Sequence, residues 1–182
     1  EGLSRFIDQF ETDDETFLYE LADKEIDRKT DDEAVSFNLG KYHLHDQRNL
    51  VALAEKAVQK NIQFYEVLKE YHIESEEKRY ELFILCARRT GDKVIPFIPS
   101  ANLTREHRIS LAKELGEHAQ RGDLITKWNC FQLDTETTKQ ILFEIATKNP
   151  FILFEQWHAL PPLDDSDRVL LQQQIPFFEL QR

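Results

Sequence analysis

The sequence predicts an all-α fold, a right-handed α-solenoid of about five helix-turn-helix repeats of roughly 30 residues each. Three observations carry that prediction. A stretch recurs: Leu103 and Thr104 precede Arg108 and an apolar stripe at Leu111, Ala112, Leu115 and Ala119. Leu133 and Asp134 precede Thr138, Ile141, Leu142 and Ile145 in the same way, and Leu163 and Asp164 precede Arg168, Leu171 and Ile175. These stripes keep helical spacing, with apolar residues three and four apart. Finally, 182 residues contain only 5 Gly and 6 Pro, too few turn signals for a many-stranded β fold. A two-helix unit this short cannot bury its apolar faces alone; stacked units share them.

Taken in order, residues 1–41 read as an acidic N-terminal helical segment, a degenerate first repeat. Leu3, Phe6, Ile7 and Phe10 form a short helical face. The acidic group Asp13-Asp14-Glu15 suits a helix start, and Phe17, Leu18 and Leu21 resume the stripe. Asp23, Glu25, Asp27 and Asp31 have the oxygen donors of a calcium loop, but Arg28 and Ala34 stand where such a loop needs Gly and Glu, so a solvated loop is expected. Residues 42–182 read as the helical-repeat domain, its last repeat incomplete or capping. Two histidines in Tyr42-His43-Leu44-His45 lack further ligands for a metal and lead into a helix capped by Asp46, with Leu50, Val51, Ala54 and Val58 inward. A second helix is predicted over Asn61–Tyr71, with Ile62, Phe64, Tyr65 and Leu68 on its apolar side. The next unit has Arg79, Leu82, Phe83 and Cys86, then Pro96 and Pro99, which predict a short turn or extended segment near Ile95–Ser100.

Thr104 and Asp134 cap the first helices of the two clearest units, with no capping-box partner at His107 or Thr137. Their second helices are predicted after Gly122-Asp123, with Leu124, Ile125 and Trp128 inward, and after Asn149-Pro150, with Phe151, Phe154 and Trp157 inward. Aligning Gln47, Arg79, Arg108, Thr138 and Arg168 places an apolar residue three later in every unit (Leu50, Leu82, Leu111, Ile141, Leu171) and seven later (Ala54, Cys86, Leu115, Ile145, Ile175). On period and helix pairing, over residues 42–175, the chain resembles the broad class of HEAT-like and tetratricopeptide-like helical repeats. The tetratricopeptide and ankyrin signatures are absent, so no functional residue is carried over.

Charge and cysteine usage limit the function. The net charge is −11, and residues 1–36 hold 13 acidic against 4 basic side chains. That balance opposes nucleic-acid binding and anionic membranes. No apolar run approaches the roughly 20 residues of a transmembrane helix, and no secretory pattern opens the chain. Cys86 and Cys130, set among apolar residues, read as buried free thiols. The expected location is soluble and cytoplasmic, with export lacking a classical signal left open. The absence of Met predicts a fragment of a larger protein or a processed form. There is no phosphate loop, nucleophile elbow or metal-ligand motif. The chain is therefore read as a protein-binding scaffold and not an enzyme, with no cofactor, no metal and no small-molecule substrate. A noncatalytic accessory domain of an enzyme, or an all-helical enzyme, is the alternative. The face lined by the second helices is the expected site, with Lys69, Lys127 and Gln156 exposed there beside the unburied parts of Tyr65, Trp128 and Trp157.

Overall fold

The computed structural model describes residues 12, 14–28, 39–60, 72–118 and 122–176. Seven α-helices occur among them, and no strand. They are α1 (Glu15–Arg28), α2 (Gln47–Gln59), α3 (Glu76–Thr90), α4 (Arg105–His118), α5 (Thr135–Lys148), α6 (Pro150–Glu155) and α7 (Asp165–Gln173). Short 3-10 segments span Leu39–Tyr42, Gly91–Ser100, Trp128–Phe131 and Trp157–Ala159. The predicted helix over Asn61–Tyr71, the face at Leu3–Phe10 and Ala119 lie outside the described residues. The chain divides into two compact units, residues 1–85 and 86–182.

Six of the helices begin at a side-chain cap, and the caps are regularly placed. Asp14 accepts from the amides of Thr16 and Phe17, Asp46 from Arg48, Ser75 from Lys78, Thr104 from His107, Asp134 from Thr137 and Asp164 from Asp167. Each bond satisfies a helix-terminal amide that has no carbonyl partner four residues earlier. Counting from the last five caps, positions seven and eleven are Leu53 and Ala57, Leu82 and Cys86, Leu111 and Leu115, Ile141 and Ile145, Leu171 and Ile175; every one is buried. This corrects the sequence alignment at its first member. Leu50, not Gln47, is equivalent to Arg79 and Arg108, and the five caps then fall 29, 29, 30 and 30 residues apart. The slip was invisible because Leu50 and Ala54 are themselves buried on the same broad face.

A second device recurs before four of the caps. His43, His72, Asn102 and Gln132 have φ of 49, 41, 50 and 52°. Each stands directly before the apolar residue that leads into a helix: Leu44, Ile73, Leu103 and Leu133. The left-handed residue ends the preceding turn and swings the chain into the next helix. Pro162 occupies this place before Leu163, and its ring bars a positive φ.

In the first unit α1 packs on α2, with the Leu39–Tyr42 turn laid against α1. The buried stripe of α1 is Leu18, Ala22 and Ile26, while Phe17 is 42% exposed and Leu21 half-buried, so the predicted phase is corrected by a residue. The supposed loop from Asp23 is helical through Arg28. Its carboxylates face cations instead of an open loop: Asp23 and Asp27 meet Lys56, and Glu25 meets Lys41 and the hydroxyl of Tyr42.

In the second unit α4 packs on α5, and α5 on both α6 and α7. The Gly91–Ser100 segment packs on Trp128–Phe131 and on α4. At Gly116 α4 lies close against α5, and a β-carbon there would overlap Cγ1 and Cδ1 of Ile145. Asn149 caps nothing with its side chain; its amide donates to the Gly116 carbonyl at 3.1 Å. The segment around Ile95–Ser100, predicted as a short turn or extended, is instead 3-10, and the helices predicted after Gly122-Asp123 and Asn149-Pro150 are a turn with a 3-10 segment and a six-residue helix. Pro96 and Pro99 hold ten residues in 3-10 geometry, and Leu124–Phe131 is a turn followed by four 3-10 residues. In α6 the buried residues are Ile152 and Leu153, with Phe151 38% exposed and Phe154 and Trp157 half-buried. The predicted inward stripe is thus one residue out of phase, and the aromatics lean toward the surface.

Candidate functional site

Helix-to-helix ion pairs define one edge of the second unit. Arg88 meets Glu114 at 2.7 Å, Lys113 meets Glu144 at 2.6 Å, Lys148 meets Glu117 at 2.6 Å and Lys139 meets Asp167 at 2.8 Å. These pairs are largely solvated and stabilise little individually, but they fix which residues face each other. The first residue of a helix also reaches the cap region of the next. Glu15 accepts from the amides of His45 and Asp46. Gln47 accepts from the Glu74 amide at 2.9 Å and donates to the His72 carbonyl. Arg105 donates to Asp134 at 2.6 Å and to the Thr137 hydroxyl. The Arg105 guanidinium and the Thr137 amide together hold the Asp134 carboxyl well below the usual carboxylate range. Glu, Gln and Arg share no sequence signature, so this position could not be found from the chain alone.

The residues predicted to line a binding face have different fates. Lys127 is half-buried and pairs with Asp123 at 2.9 Å; hydrogen bonding to that carboxylate raises its pKa. Trp128 is 5% exposed, its ring 5.3 Å from Phe131 at a tilt of 49°, and its Nε1 donates to Thr138 Oγ1 at 3.0 Å. Gln156, expected to be exposed, is 7% exposed. Its carbonyl accepts from the Ile125 amide at 3.0 Å and the Thr126 amide at 3.4 Å, and its amide donates to the Gly122 carbonyl. The irregular turn at 122–127 has no helix to satisfy these groups, and a buried glutamine does so. Trp157 is half-buried. Lys69 and Tyr65 lie outside the described residues.

Between these segments lies a cavity of about 400 Å³. Ile125, Trp128 and Asn129 line it from one segment, Leu133, Thr135 and Thr138 from the start of α5, and Leu160, Pro161 and Pro162 from the chain that leads toward α7. The Asn129 side chain is exposed and makes no hydrogen bond among the described residues. Sequence reasoning selected Trp128 but missed the rest, because the cavity joins residues from positions 125 to 162 that share no periodic role.

Of the two thiols, Cys86 is buried and its pKa is pushed far up by desolvation, so it is no nucleophile at neutral pH. Cys130 is half-buried. No helix of the described residues is long and apolar enough to cross a membrane. Comparison with known protein families, with curated proteins and with solved structures finds no match.

Proposed function

We propose that the chain is a protein-binding scaffold, a right-handed α-solenoid whose shorter second segments form the binding face. The observation that carries this reading is the spacing of its tertiary bonds. Apart from Glu25 with Lys41 and Tyr42, and Trp128 with Thr138, the side-chain bonds between elements join residues 24 to 34 positions apart, from Glu15 with Asp46 and Lys56 with Asp23 to Lys113 with Glu144 and Gln156 with Ile125. Bonds at about this spacing tie neighbouring elements within each unit, and such spacing supports quasi-one-dimensional stacking. The regular caps and the four left-handed lead-ins support the same period. Helical arrays of this kind present an extended surface, and the acidic balance favours a protein over a nucleic acid as the partner.

The test is affinity capture with the wild-type chain and with Lys69→Glu and Lys127→Glu variants, followed by measurement of each recovered partner's affinity. Selective loss of one partner on charge reversal supports the binding face. Equal retention by all three chains moves the site elsewhere, and substrate turnover by the isolated chain overturns the scaffold reading.

A further inference from the structure

We infer that the cavity beside Trp128 is a peptide subsite, one that takes a bulky uncharged side chain of an extended partner segment while Asn129 reads the adjoining backbone amide. This rests on the protein-binding reading above and gives it a place and a ligand chemistry. The argument has three parts. The walls are pre-set. Trp128 is fixed by its bond to Thr138, and Leu160 (φ −52°, ψ 138°) runs into two prolines, so little freedom is lost when the space is filled.

The chemistry selects a neutral occupant. None of the described lining residues is charged. A phosphate would want cations there and a metal ion would want carboxylates. A chain carrying −11 has many carboxylates, yet the lining residues include none of them. The Trp128 N–H is already spent on Thr138, so the indole offers apolar surface. Asn129, in contrast, has a free donor and a free acceptor side by side, the complement of a peptide group. Walls that are apolar except for Thr126, Thr135 and Thr138, next to an unspent amide, match a residue within a polypeptide better than a hydrocarbon or a sugar. The volume of about 400 Å³ holds one large side chain and part of its backbone.

Amide-resolved NMR titration with N-acetyl-leucinamide and N-acetyl-phenylalaninamide tests this, with N-acetyl-lysinamide as the charged comparison. Saturable shifts at the Trp128 indole and the Asn129 side-chain amide are expected with the two apolar probes and not with the lysine probe. Thr126→Phe, which fills the mouth from an exposed position, should abolish them. Asn129→Asp, at an exposed side chain with no internal bond, should weaken binding about tenfold, one hydrogen bond's worth, at unchanged melting temperature. Absence of saturable shifts at those two resonances overturns the subsite. Selection of linear peptides on the immobilised chain separates the failures. Binders indifferent to Thr126→Phe overturn the subsite alone, and a selection that yields no binders overturns the protein-binding reading as well.

Discussion

Among the described residues, four other than glycine are held at positive φ, and all four precede the apolar lead-in to a helix. Asn and His tolerate that region better than most residues, and β-branched residues tolerate it least. His43 is exposed, so its substitution isolates the backbone. His43→Gly and His43→Asn should leave stability within about 1 kcal/mol, whereas His43→Val should cost about 1–3 kcal/mol by urea denaturation. Equal costs for Val and Asn would show that the left-handed turn is unimportant. Gln156 poses the opposite case, a polar residue at an inward position. Gln156→Leu puts an apolar side chain at this buried position but strips the Ile125 amide of its partner. It should destabilise by about 1–3 kcal/mol. A stabilised Leu variant would mean that water serves the turn equally well.

At the scale of elements, Gly116 sets how closely α4 and α5 approach. Alanine favours a helix over glycine by about 1 kcal/mol, but here its methyl group meets the stiff side chain of Ile145. Gly116→Ala should therefore destabilise by about 1–3 kcal/mol, the usual cost of overpacking, and Ile145→Val should lessen that loss in the double variant. A simple gain from Gly116→Ala in thermal melts would show that the helices separate freely. The first helices are legible in the sequence because caps and stripes are local: Asp46, Thr104 and Asp134 read as caps from residue type and position, and Asp164 stands in the same place before its stripe. The second elements are not. Their 3-10 turns are too short for a stable hydrophobic phase, so Phe151, Phe154 and Trp157 looked like a core stripe while Ile152 and Leu153 are the residues buried. Gln156 was misread for the same reason, since polarity normally signals exposure and only tertiary context shows a turn in need of donors and acceptors. Trp128 could be seen as core, but the cavity beside it depends on where Pro161 returns.

For the whole molecule, the caps and interhelical pairs make stability sensitive to acid. Asp46, Asp134 and Asp164 at helix starts, with Asp27 and Glu117 in ion pairs, all have folded-state pKa values below the ordinary carboxylate values, through bonds to Arg48, Arg105, the Asp167 amide, Lys56 and Lys148 respectively. The unfolded chain then binds more protons than the folded one once pH falls toward about 4, so the contribution present above that pH is lost progressively below it. Melting temperature should be steady from neutrality to about pH 5 and then fall. A flat profile down to pH 3 would exclude these carboxylates as a source of stability.

The proposed array, in which helices starting at successive caps stack along one axis, is tested most directly within the second unit, by distances between spin labels at Glu106, Glu136 and Ser166. Each is exposed and stands two residues after its cap. Neighbouring helix axes pack about 8–10 Å apart. The array predicts that label separation grows with each intervening helix, the 106–166 pair lying about twice as far apart as 106–136. A 106–166 distance no longer than 106–136 would mean that these helices fold back on one another, and the solenoid would be wrong.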